Sequence, residues 1–177
     1  IKPRERPSLY YLHLMLPHTP YVFTESGRTY DGPSVGKGTA AEWDSRVVAQ
    51  QLDLQMRFTD QLLGDILDGA RETGVYDDAI VVVTADHAAG LDDEKASRYY
   101  DGTNAPELMV TPLLIKAPRQ PDGIVSDAPI EAVDVLPTLA DMVDIEIPWP
   151  VDGTSALGLD PQYEDPACED VRRFMRF

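Results

Sequence analysis

Apolar residues gather along this chain in one continuous run, one helical stripe and a second continuous run. Residues 9–16 (LYYLHLML) are apolar except for His13 and stop at Pro17, which predicts a buried strand. A strand covered on both faces needs continuous rather than alternating apolarity, so a mixed, mostly parallel sheet with helices on both faces is expected. Residues 17–38 are rich in Pro, Gly, Ser and Thr and have no apolar period, which predicts a long ordered loop. Within that loop residues 32–39 (GPSVGKGT) look superficially like a phosphate-binding loop. The spacing is one residue short, Lys37 precedes Gly38 rather than Ser or Thr, and no buried strand comes before it, so a nucleotide site is rejected.

From Thr39, a suitable N-cap, to Thr73 the pattern turns helical: Val47, Leu54, Phe58, Leu62, Ile66 and Ala70 fall near helical spacing, and Gly74 supplies a stop. Leu52, Leu63 and Leu67 widen the stripe to the breadth expected of a helix lying on a sheet. Residues 79–84 (AIVVVT) are β-branched and uncharged and predict a central strand opening into a loop at Ala85. A further strand is expected over 110–116 (VTPLLIK), placed at an edge or bulge by Pro112. Residues 130–143 predict a helix interrupted at Pro137. The order strand, long helix, strand, strand, helix is that of an α/β layer architecture.

Length and charge narrow the classes. A chain of 177 residues can bury roughly 70% of its unfolded surface, which accommodates one domain over 1–177 with an acidic surface tail over 159–177. Cys168 is the sole cysteine, so no intrachain disulfide forms. A formal net charge of −16 argues against a nucleic-acid binder, because phosphate recognition draws on Lys and Arg. No stretch approaches the ~20 apolar residues of a membrane span. The chain opens on Ile1 rather than Met, which suggests part of a longer protein.

Candidate chemistry concentrates at Asp86 and His87, just beyond the most hydrophobic strand. Ligands gather past the carboxyl ends of strands in open α/β sheets. Two readings of the pair are open: Asp86 caps a turn while His87 packs, or a carboxylate and an imidazole ligate a metal. A mixed N/O pair suits zinc or manganese better than calcium. His13, His18 and His87 are the only histidines, and all three lie in or just past predicted strands, which favours the second reading. Lys95 and Arg98, in the following loop, could meet an anionic ester, although a flexible charged loop is the favoured reading.

Three segments carry a family likeness: residues 12–21 (LHLMLPHTPY), residues 76–87 (YDDAIVVVTADH), and residues 111–118 (TPLLIKAP) followed by 133–139 (VDVLPTL) and 152–155 (DGTS). In that order and spacing they resemble the sulfatase-like branch of the alkaline-phosphatase superfamily, and specifically the later half of its catalytic domain. The resemblance implies a partial alkaline-phosphatase-like sandwich. Asp86 and His87 would be ligands of a divalent metal, and His18 would meet the sulfate or phosphate group of an ester or its leaving oxygen. An imidazole suits either task because it exchanges a proton near neutral pH. His13 is a weaker substrate contact, since a core histidine bonded to backbone is the alternative.

The resemblance further implies a nucleophile and an acidic metal ligand in an upstream half of the same protein, leaving this chain inactive alone. It also implies a membrane-anchored parent with this domain outside the cytoplasm. Cys168 lacks the family's Cys-x-Pro-x-Arg context and is excluded as nucleophile. Ala88 stands where the family usually has Gly, and no histidine follows His87, so a one-metal site is expected. The same departures motivate the alternative of a degenerate sulfatase-like module serving binding or envelope assembly.

Overall fold

The computed structural model describes residues 7–30, 45–90, 100, 102–123 and 125–158. The described residues fall into two compact units, one within 1–119 and the other within 120–177. In the first, helix α1 (Ser45–Glu72) is followed by strand β1 (Val81–Thr84), helix α2 (Ala105–Met109) and strand β2 (Leu113–Lys116). In the second, a 3-10 turn (Ala132–Asp134) leads into helix α3 (Val135–Met142), and a second 3-10 turn spans Ala156–Gly158.

The predicted stop of α1 is built as expected. Gly74 takes φ +71°, its amide donates to the carbonyl of Arg71 at 2.9 Å, and Val75 N donates to Ala70 O at 2.9 Å. Such a left-handed residue is cheapest as glycine. Val48 and Ala70 are buried on this helix, as is Gln55.

β1 and β2 pair antiparallel, in the register Val81 with Lys116 and Thr84 with Leu113. β2 begins immediately after Pro112, which cannot donate to a ladder. Its last residue ties off the connection leading into β1: Lys116 Nζ donates to the carbonyls of Tyr76 at 2.6 Å, Ala79 at 3.0 Å and Asp77 at 3.1 Å. The same ammonium lies 4.6 Å from the Tyr76 ring centroid, and the Arg71 guanidinium lies 4.3 Å from it.

Two expectations are corrected here. Residues 9–16 do not form a buried strand: they have no strand hydrogen bonding, and Leu9 and Tyr11 are 89% and 83% exposed. Apolar sequence becomes a strand only when a neighbouring strand takes its amides and a layer covers its side chains. Among the described residues β1 and β2 serve only each other. His13 is therefore exposed and not the core histidine considered above. Of the expected mixed, mostly parallel sheet, the described residues form one antiparallel pair of strands. Finally, Pro137 does not interrupt a helix. It is the third residue of α3, where a missing N–H has no intrahelical duty, and the break falls earlier, where the 3-10 turn passes into α3.

In the second unit, side chains of 134–141 clasp the backbone and side chains of 154–156. Asp134, 8% exposed, accepts from Thr154 N through Oδ1 at 2.7 Å and from Glu131 N through Oδ2 at 2.8 Å. Thr138 Oγ1 donates to Asp134 O at 2.6 Å and accepts from Ala156 N at 2.8 Å. Ser155 Oγ donates to Asp141 Oδ2 at 2.7 Å. A Cβ at Gly153 would overlap the Val133 carbonyl, so only glycine lets the two segments close.

Residues 22–30 form a tight turn with a single antiparallel bridge between Phe23 and Thr29. Gly27 there has φ +76°, and a Cβ on it would lie 2.5 Å from the Phe58 ring. Tyr30 Oη donates to Tyr21 O at 2.6 Å, and burial raises the pKa of both phenols above their ordinary value of 10.0. A folded pKa above the unfolded one means that their contribution to stability is complete below about pH 10 and is lost as pH rises beyond it. The denaturant midpoint should therefore fall above about pH 10, and Tyr30→Phe should flatten that fall. An alkaline limb identical in the variant would exclude a role for Tyr30.

Candidate active site

β1 delivers Asp86 and His87 to the loop beyond its carboxyl end, as the sequence predicts. His87 Nδ1 lies 2.7 Å from the Ala88 carbonyl, and since a carbonyl only accepts, this bond places the proton on Nδ1. Nε2 is then the nitrogen with a lone pair, the arrangement found in metal-ligating histidines. It lies 3.7 Å from Asp86 Oδ2, with the Asp86 side chain 85% exposed and His87 33% exposed. The loop is held from its far side: Ala88 N donates to Leu108 O of α2 at 3.1 Å. One residue, Ala88, thus anchors the loop through its N–H and orients the ring through its carbonyl.

Whether the pair could share an ion can be tested on its spacing. Two donors each roughly 2.1 Å from one zinc-sized ion lie at most about 4.2 Å apart. The 3.7 Å between His87 Nε2 and Asp86 Oδ2 is inside that reach. The pair fits part of a shell. Among the described residues no group of three or more His, Cys, Asp and Glu side chains converges on a metal-sized space, so His18 does not join Asp86 and His87 as a third ligand.

His18 sits in a separate turn, closed by His18 N donating to Met15 O at 3.0 Å. Its Nδ1 lies 2.6 Å from the Thr19 carbonyl. Both candidate histidines therefore use the same device, an Nδ1 bonded to the carbonyl of the following residue, which places the proton on Nδ1. His13 is exposed in the segment before this turn. Lys95, Arg98, Cys168, residues 32–39 and the expected tail over 159–177 lie outside the described residues.

Sequence reasoning missed Gln55. It sits on α1 with no solvent exposure and hydrogen-bonds the backbone of the turn that carries His18. The available signal was its position: Val48, Gln55 and Leu62 fall at seven-residue spacing, so Gln55 is a polar residue inside the apolar stripe.

An α/β chain with a Pro-His-x-Pro turn and a strand delivering Asp-His is the class of protein defined here. Residues 1–145 match the sulfatase family model, and the chain belongs to that family, in the sulfatase-like branch of the alkaline-phosphatase superfamily. It is 30% identical over 129 residues to human N-sulphoglucosamine sulphohydrolase, covering 68% of this chain and 24% of that protein. It is 28% identical over 168 residues to the uncharacterized sulfatase YdeN of Escherichia coli, covering 88% of this chain and 27% of the relative. Among solved structures, the phosphonate monoester hydrolase SpPMH from Silicibacter pomeroyi superposes with a TM-score of 0.53 at 38% identity, covering 63% of this chain and 21% of that one. The chain thus spans about a quarter of the length of these curated relatives.

Proposed function

We propose that this chain is the later part of the catalytic domain of a metal-dependent hydrolase or transferase acting on phosphate or sulfate esters. The observation that carries the reading is the Asp86–His87 pair, two donors 3.7 Å apart with the imidazole oriented through Ala88 O. Asp86 and His87 would hold a divalent cation, zinc or manganese rather than calcium. When bound, such an ion supplies charge stabilisation to the ester and lowers the pKa of a nucleophile. His18 would hydrogen-bond the anionic group or the leaving oxygen, with Nδ1 bonded to Thr19 O while Nε2 meets the substrate.

The nucleophile and the remaining ligands are assigned to an upstream half of the same protein, which would also complete a larger mixed sheet beside β1 and β2. Support for an anionic ester as substrate comes from the names of the relatives, one a sulphohydrolase and another a phosphonate monoester hydrolase. The resemblance to the sulfatase-like branch is the ground for assigning a membrane anchor upstream and this domain to the outside of the cytoplasm; no helix of the described residues is long and apolar enough to cross a membrane.

The isolated chain should show no turnover of chromogenic sulfate, phosphate or phosphonate esters, whereas the full-length protein should turn over at least one and retain metal. Robust hydrolysis by the isolated chain would sink the half-site reading. The second reading, a degenerate binding or envelope-assembly module, is favoured by Ala88 and by the lack of a histidine after His87 in the sequence. A full-length protein without metal and without turnover would select it.

A further inference from the structure

We propose that Gln55 is the positioning residue for His18, setting the imidazole through the backbone on both sides of it; the inference rests on His18 being the group that meets the ester. Gln55 has no solvent exposure, and its side-chain amide is fully used. Nε2 donates to His18 O at 2.8 Å and to Pro17 O at 3.0 Å. Oε1 accepts from Val22 N at 3.0 Å and from Phe23 N at 3.3 Å. The orientation of the amide is forced, because the two carbonyls only accept and the two amides only donate.

These four bonds join α1 to chain 32 to 38 residues away. They grip the turn before and after its apex, at 17–18 and at 22–23. His18 Nδ1 is bonded to Thr19 O, so the ring is referenced to the backbone at 18–19, and that backbone is referenced to Gln55. Tyr21 is buried between the two grips, and the Phe23–Phe58 ring contact at 5.4 Å holds the same turn against the same helix.

An apolar residue would serve if only volume were needed at this place in the stripe. Of the common side chains, Asn and Gln alone carry two donors and a two-lone-pair acceptor in one plane, and Gln has the longer reach. Glu has the same shape and keeps both acceptor roles, but it sets oxygen against the carbonyls of Pro17 and His18. Gln55→Glu therefore releases the His18 side of the turn while keeping the Val22 side.

The test is a double-mutant cycle in the full-length protein with a chromogenic sulfate or phosphate ester, using Gln55→Glu, His18→Gln and the two combined. Gln55→Glu should lower kcat/KM about ten- to hundredfold, the scale on which sub-ångström to ångström misplacement acts. In the His18→Gln background it should cost nothing further, because its effect passes through His18. An equal loss in both backgrounds, or no loss in the wild type, overturns the proposal. Should His18→Gln alone leave turnover unchanged, the role of His18 is refuted, and the positioning claim is then decided by NMR of the 177-residue chain. There, Gln55→Glu should shift the His18 ring resonances and leave the exchange of the Val22 amide slow; unmoved His18 resonances overturn the claim. Gln55→Leu should shift the ring and also release both amides.

Discussion

Substituting Asp86 with Ala in the full-length protein should remove bound metal and lower turnover by roughly a thousandfold or more, equivalent to about 4 kcal/mol of transition-state stabilisation. Asp86 is exposed and forms no part of a packed core, so its loss should leave the fold intact. His87 would keep its ring orientation, which comes from Ala88 O, but a single imidazole is a weak anchor for an ion. Asp86→Asn should fall between, keeping an oxygen donor without its charge. Metal analysis alongside steady-state kinetics decides the matter: full activity with bound metal in Asp86→Ala would end the proposal that this pair forms part of the active site.

Asp134→Ala should act on stability instead. Both carboxylate oxygens are committed, to Thr154 N and Glu131 N, in a site only 8% exposed. Removing them strands two amides and detaches the segment bearing Gly153 and Thr154, a loss of about 3–6 kcal/mol at roughly 1.5–3 kcal/mol for each charge-assisted bond. Asp134→Asn should recover about half of that, since one oxygen still accepts. Urea unfolding of the chain and both variants measures the difference. A loss within about 0.5 kcal/mol, as for an ordinary surface position, would show that the clasp contributes little.

How far the residues announce this structure depends on whether each feature is local. Residues 79–84 are β-branched and uncharged, and Val81–Thr84 forms a strand. Gly74 follows a long stripe and ends the helix. Asp86 and His87 follow that strand and meet in space because they are sequence neighbours. Residues 9–16 are equally apolar and are not a strand, because pairing is a property of two segments and the described residues offer them no partner. Gln55 was hidden for the opposite reason: its partners lie 32 to 38 residues away, and a polar residue in a helix reads as part of a solvated face until something is packed against it. Asp134 stood in a recognisable pattern, but spacing alone could not say that the pattern is a backbone clasp.

The uncovered run at 9–15 also bears on how the chain behaves in solution. A net charge of −16 should keep copies apart, yet that repulsion acts over a distance set by ionic strength, about 10 Å at 0.1 M and about 3 Å at 1 M. Leu9, Tyr11, Leu12 and Met15 form an adhesive strip whose attraction is not screened. High salt therefore removes the protection and leaves the stickiness, which makes it the wrong additive for keeping the isolated chain monodisperse.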